Sequence, residues 1–237
     1  MVKMEHLKIL IKSRIQAFIP KTYDRIVSIG SNCEVTWNIR NHFSTDKAYP
    51  FDWWMTPLHS MIELLDAQFT GLFDKKNICV PPDLKTVIDK KYNIMHHHDF
   101  QRDEAGLIVS NKIEEQLSSL KQKYDFLAKR FKDDLDGKRI LFIRNRCGND
   151  PNYLNGDYGE IQPEQCIEMH RALSALLPQA KFDIFATNKT KFDSFFYNGS
   201  EIFSDSIVNL GDCDDYRVSP KGWSKMFRQH NIKLKKK

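Results

Sequence analysis

The sequence has little glycine or proline, no Cys-x-x-Cys pair, no long apolar run and no strong surplus of either charge. With 10 Gly and 9 Pro in 237 residues, it is neither collagen-like nor a low-complexity linker. Its five cysteines, Cys33, Cys79, Cys147, Cys166 and Cys213, are odd in number and widely spaced. A chain of this size folds without staples, so they read as reduced thiols in a cytoplasmic setting. No stretch approaches the roughly 18–20 apolar residues of a membrane span. Residues 1–20 lack the apolar block and small-residue site of a signal peptide. Lys and Arg number 36 against 31 Asp and Glu, a net charge of +5. Part of that excess is the run Lys233, Lys235, Lys236 and Lys237, so the body is nearly balanced and gives no argument for a nucleic-acid partner. Core material is plentiful: 41% of residues are hydrophobic, with 16 Phe and 4 Trp, which excludes a mostly disordered chain.

The apolar spacing lays out one domain. Leu7, Leu10, Ile11, Ile15 and Phe18 form one stripe of an amphipathic helix over 1–20, ended by Pro20. Its other face is basic. The segment therefore reads as a helix docked on the body, with weak peripheral membrane contact as the other use of such a face. Ile26, Val27 and Ile29 before Gly30 read as a buried strand, and Val35, Ile39 and Phe43 as the helix that follows it. Further helices are expected over 58–69, 113–135 and 163–177, and strands over 138–144, 182–186 and 206–210. Trp223, Met226 and Phe227 mark a terminal helix. Helices between strands favour parallel pairing. The expectation is an α/β fold: a single three-layer catalytic domain over 21–232, its mostly parallel sheet flanked by helices. A frayed basic tail, 233–237, follows.

The sharpest chemical feature is Gly30-Ser31-Asn32-Cys33, between strand and helix. A thiol there lies at the carboxyl edge of a strand, where α/β folds bind ligands. The unpaired amides and dipole of a helix N-terminus favour a thiolate. The Cys33 and Glu34 amides, with the Asn32 carboxamide, could hold an oxyanion. His96-His97-His98-Asp99 supplies a base. In an extended chain His96 and His98 share one face while His97 and Asp99 share the other, so an imidazole reaches the thiol and a carboxylate orients it. Only two of the three histidines point one way and no further ligand stands at metal spacing, so no metal is expected. Asp52, among the aromatics of 49–54, is a second candidate orienter, because burying it demands partners. Trp53 and Trp54 offer ring faces to a sugar or peptide, and Ser31 shares that cleft. Arg144 and Arg146, after the central strand, suit phosphate or carboxylate. Asp212-Cys213-Asp214-Asp215 has the form of a D-x-D cation clamp but reads better as an acidic loop. His170 lies on an apolar helical stripe and reads as packing.

Three blocks in order, Ser28-Ile-Gly-Ser-Asn-Cys-Glu34, Tyr49-Pro-Phe-Asp-Trp-Trp54 and His97-His98-Asp99-Phe100, followed by Leu141-Phe-Ile-Arg144, resemble the bacterial and viral domain family labelled "putative papain-like cysteine peptidase". The resemblance spans roughly residues 24–190. It implies that Cys33 is the nucleophile, His97 or His98 the base, and Asp52 or Asp99 the third member. Papain-type enzymes usually carry a Gln six residues before the cysteine, where this chain has Val27. The strand, Gly-Ser-Asn-Cys, helix order also resembles cysteine-bearing relatives of the SGNH esterases and capsule acyltransferases. The expected function is acyl transfer from a small-molecule, peptide or glycan substrate, to water or to a sugar hydroxyl, without a cofactor. Two alternatives stay open. One is glycosyl transfer from a nucleotide sugar held by Arg144 and Arg146, an arrangement that resembles the donor half of fucosyltransferase-type enzymes without their histidine. The other is a non-catalytic glycan- or peptide-binding module.

Overall fold

The computed structural model describes residues 21–146, 160–188, 194–205 and 220–236. The 1–20 helix, the 206–210 strand and the 212–215 acidic loop expected from sequence lie outside them. Two short strands open the described chain, β1 (Lys21–Tyr23) and β2 (Arg25–Ser28). Helix α1 (Cys33–Phe43) follows, begun by Asn32, whose side chain accepts from the Glu34 N–H, and ended at Ser44 in the left-handed region. A single 3₁₀ turn, Pro50–Asp52, leads to β3 (Trp54–Met55) and α2 (Leu58–Asp66). Strands β4 (Ile78–Cys79), β5 (Val87–Asp89) and β6 (Ile94–His96) precede the long α3 (Ile113–Leu135). Then come β7 (Arg139–Asn145), α4 (Pro163–Leu176), β8 (Lys181–Thr187), β9 (Ser194–Tyr197), β10 (Ile202–Asp205), α5 (Pro220–Gln229) and β11 (Ile232–Leu234).

The main sheet runs β10-β9-β8-β7-β2. β2, β7 and β8 are parallel, while β9 and β10 turn antiparallel. A separate sheet, β3-β6-β5-β4, is wholly antiparallel. The mostly parallel sheet expected from sequence is therefore corrected to a mixed α/β arrangement with several sheets. Helical crossovers force parallel pairing only where they occur, and β8, β9 and β10 are joined by shorter links that return the chain antiparallel.

The period-2 alternation of β7 decides where the core sits. Ile140 and Phe142 join one apolar cluster, with Leu120, Leu127 and Phe131 of α3 and Met169 and Leu173 of α4. Leu141 and Ile143 join a second, with Val35 and Ile39 of α1 and Trp223, Met226 and Phe227 of α5. α1 is thus clamped between the sheet and α5, which fixes the start of the helix against the carboxyl ends of β2 and β7. The basic end of the chain is held further than the expected fraying: β11 pairs parallel with β1, and the Lys235 N–H donates to the Tyr23 carbonyl at 2.9 Å. Among the described residues no helix is long and apolar enough to cross a membrane.

Candidate active site

At the carboxyl end of β2 the backbone turns through Gly30, whose φ of +90° and contacts leave no room for a side chain. A Cβ there would lie 2.9 Å from Arg144 Nη1. The turn that results is held by polar side chains from β7. The Ser31 N–H donates to Asn145 Oδ1 at 2.8 Å and the Ser31 hydroxyl to the Arg146 carbonyl at 2.7 Å. Asn145 Nδ2 in turn donates to Asn32 Oδ1 at 3.2 Å and Glu34 Oε2 at 3.1 Å. The other Glu34 oxygen accepts from Trp223 Nε1 at 2.9 Å. A buried carboxylate is tolerable only with such partners, and these tie α5, α1 and β7 to one point.

Cys33 is the first residue of α1, partly exposed and free of any disulfide. Burial pushes its thiol above the ordinary range, and the neighbouring Glu34 charge adds to that, against a backbone hydrogen bond that lowers it. The thiolate expected from a bare helix N-terminus is therefore not favoured. Asn32 already caps the Glu34 amide, at 3.2 Å, and a carboxylate is the next side chain. The Glu34 N–H, expected as an oxyanion donor, is thus occupied, and Glu34 itself is interior.

The histidine run divides. β6 ends at His96, and the bend after it brings His96 Nδ1 to 3.2 Å from Asp99 Oδ2. Both side chains are buried. Asp99 also accepts from Trp54 Nε1 (2.9 Å), the Tyr124 hydroxyl (2.8 Å) and Lys123 Nζ (2.8 Å). Against the burial that would raise it, His96 and Lys123 hold the Asp99 carboxyl below the usual carboxylate range. Asp99 is thus engaged with His96, not with the ring of His97 or His98. This corrects the two-faced extended reading, because the chain bends where that reading kept it straight. His97 and His98 remain exposed. Partial desolvation and the Arg102 charge lower both pKa values, with Asp99 opposing at His98. The His98 ring packs edge-on against Trp53, 5.7 Å between centroids, and the Arg40 guanidinium lies 5.3 Å from the Trp53 ring. Arg40 stands two turns along α1 from Cys33, on the same face. Among the described residues no histidine hydrogen-bonds the Cys33 thiol.

Asp52 lies on the underside of this face, not beside a histidine. It accepts from Thr36 Oγ1 (3.0 Å), Arg40 Nη2 (2.8 Å) and the Tyr49 N–H (3.1 Å). Burial nevertheless raises its pKa. Its work is to fasten the aromatic turn to α1. Ser31, Trp54 and Arg144, expected to meet substrate, are all buried. Arg144 donates from Nη1 to the Ile29 carbonyl and from Nη2 to the Thr56 carbonyl, both at 2.8 Å. It braces the turn from beneath and does not face a phosphate. Arg146 and Trp53 stay partly exposed. Arg144→Met is expected to destabilise the fold by about 2–3 kcal/mol, because two buried carbonyls lose a charged donor. Urea denaturation checks this. An unchanged midpoint would return Arg144 to the list of ligand-binding candidates.

Thr36, Asn145 and Trp223 are the site-shaping residues that sequence reasoning missed. Asn145 alone left a signal, as a polar residue closing an otherwise apolar strand. Among the described residues no three His, Cys, Asp or Glu side chains gather as a metal-ligand set.

Residues 24–191 match a known family, described as "Putative papain-like cysteine peptidase". No curated protein and no solved structure matches the chain.

Proposed function

The chain belongs to that family of cysteine-peptidase-like domains, and from this premise we propose that it is a cysteine-dependent amide or peptide hydrolase with Cys33 as nucleophile and His98 as base. The observation that carries the reading is the placement of Cys33. It is a partly exposed, unbridged thiol at the first position of a helix, on a turn braced by Arg144 and Asn145. A turn so fixed sets the direction in which the Cys33 side chain leaves the backbone, which helps to position a nucleophile.

His98 is favoured over its neighbours because it is exposed and sits on Trp53, a ring that Arg40 of the Cys33 helix also approaches. His96 is buried and held by Asp99. The lowered pKa leaves His98 neutral at pH 7 and able to accept a proton. In the proposed step Cys33 Sγ bonds to the substrate carbonyl carbon while its proton passes to the His98 ring. The leaving amine takes that proton as the carbon–nitrogen bond breaks. Water then hydrolyses the thioester and restores the thiol. Asp99 acts as a positioning residue: it secures the bend from which His97 and His98 project. The test is turnover of a panel of peptide amides and thioesters by the intact chain, with mapping of the cysteine labelled by a peptidyl vinyl sulfone. Labelling at another cysteine, such as Cys79, which is the other partly exposed thiol among the described residues, and not at Cys33 would overturn the assignment.

The pKa directions give a second check that needs no substrate. A thiol raised above its ordinary value stays protonated through neutral pH. Alkylation of Cys33 by iodoacetamide is therefore expected to rise only above the pH at which a free cysteine ionises. The rate is measured by mass spectrometry in a Cys79→Ser background. Rapid alkylation near pH 5 would mean a pre-formed thiolate–imidazolium pair and would contradict the neutral pair proposed here.

A further inference from the structure

Two carboxamides meet beneath the Cys33 turn, and backbone amides fix which way each one faces. Asn145 ends β7 on the face that Leu141 and Ile143 turn toward α1, and it is fully buried. Its Oδ1 accepts from the Ser31 N–H at 2.8 Å and from the Ser31 hydroxyl at 2.9 Å. A backbone N–H can only donate, so the carboxamide oxygen must lie on that side and the nitrogen on the other. Nδ2 accordingly donates to Asn32 Oδ1 at 3.2 Å and to Glu34 Oε2 at 3.1 Å.

Asn32 is fixed in the same way. Its Oδ1 accepts from the Glu34 N–H at 3.2 Å as well as from Asn145, so a flipped carboxamide would set Nδ2 against two donors. Its own Nδ2 is thereby turned away from the brace, and among the described residues it meets no acceptor. Asn32 is partly exposed and directly precedes Cys33. Among the described residues the Cys33 N–H is likewise taken by nothing except its own sulfur. Two donors without a protein acceptor thus belong to the residue that carries the thiol and to the one before it, at the positive end of a helix.

Given Cys33 as the nucleophile, the reading proposed above, we infer that Asn32 Nδ2 and the Cys33 N–H together hold the oxyanion of the tetrahedral intermediate, and that Asn145 is the positioning residue that keeps the Asn32 carboxamide turned for it. As Cys33 Sγ bonds to the carbonyl carbon, the C=O electron pair moves onto oxygen, where these donors stabilise it. The pair returns to re-form C=O as the carbon–nitrogen bond breaks and the amine leaves with the proton carried by His98. Donors already locked by the fold need no reorganisation when the charge appears.

The experiment compares reactions at one sulfur in a Cys79→Ser background. Iodoacetamide is attacked at a saturated carbon and forms no oxyanion, whereas peptide amide hydrolysis and reversible addition of a peptide aldehyde both load the former carbonyl oxygen. Asn32→Ser keeps a helix cap and removes Nδ2. It is expected to lower kcat about 10²–10³-fold and to weaken the aldehyde at least about tenfold, with KM, Tm and the iodoacetamide rate little changed. Asn145→Ala is expected to lower kcat as well, and the double variant to lose no more than Asn32→Ser alone, because both act through one donor. Should Asn145→Ala not fold, Asn145→Asp replaces it: the carboxylate still accepts from Ser31 but draws Asn32 Nδ2 inward, with the same loss of kcat. Unchanged kcat in Asn32→Ser, with Cys33-dependent turnover intact, overturns the inference and leaves the hydrolase reading standing. So does an iodoacetamide rate that falls in step with kcat, because the loss then lies in the thiol itself. Additive losses in the double variant overturn the role of Asn145. A wild-type chain with neither turnover nor an aldehyde adduct at Cys33 overturns both the inference and the hydrolase reading.

Discussion

Cys33→Ala is expected to lower turnover by at least about 10³-fold on any substrate the intact chain hydrolyses, with little change in Tm. The two halves of that expectation come from different facts. The sulfur is the only group at this turn that can carry an acyl intermediate in the proposed step, so its loss leaves only what binding and oxyanion contacts supply. The structural cost is small because Cys33 occupies the first helical position, is partly exposed and is replaced by the best helix former. His98→Ala is expected to lose about 10²-fold or more, while His97→Ala, whose ring packs edge-on against His98 and not on Trp53, retains most activity. Steady-state kinetics beside thermal melts separate the effects. A fully active Cys33→Ala would remove the cysteine mechanism and leave the motif as a brace for α1. Equal losses in the two histidine variants would mean that the base has been misassigned.

Much of the scaffold behind this site was legible because burial wrote it into the sequence at fixed periods. The stripe Leu117, Leu120, Tyr124, Leu127 and Phe131 fits α3, and the unbroken apolar run Ile140–Ile143 fits a strand covered on both faces. Gly30 marked the turn before Cys33. Less legible were the short strands β4 and β5, too brief to show a period, and β9, whose antiparallel return depends on its partner more than on its own residues. The site suffered from a related gap. Spacing can say which side chains share a face of a straight strand, but not where the strand bends. Hence Asp99 was paired with the wrong histidine. Nor does spacing reveal that an arginine such as Arg144 turns inward to carbonyls of a neighbouring turn, because the acceptors belong to residues 29 and 56, far away in sequence.

The second large effect belongs to that misread carboxylate. Asp99→Ala is expected to cost about 3–5 kcal/mol of folding stability at pH 7, the range for removing one member of a buried charge network. Its side chain is almost fully buried. Its loss strips an acceptor at once from His96 Nδ1, Trp54 Nε1, the Tyr124 hydroxyl and Lys123. Because the folded carboxyl is held below its ordinary pKa, its contribution is complete above the unfolded value of about 3.9 and is lost as pH falls toward the folded one. The gap between wild type and variant in urea unfolding should therefore be constant from neutral pH down to about 5 and narrow below about 4. The same measurement distinguishes a positioning carboxylate from a catalytic one. If Asp99 oriented the base directly, the variant would keep near-normal stability and shift the pH profile of turnover. If it holds the bend beneath His97 and His98, stability falls first, and the residual folded enzyme keeps the wild-type profile.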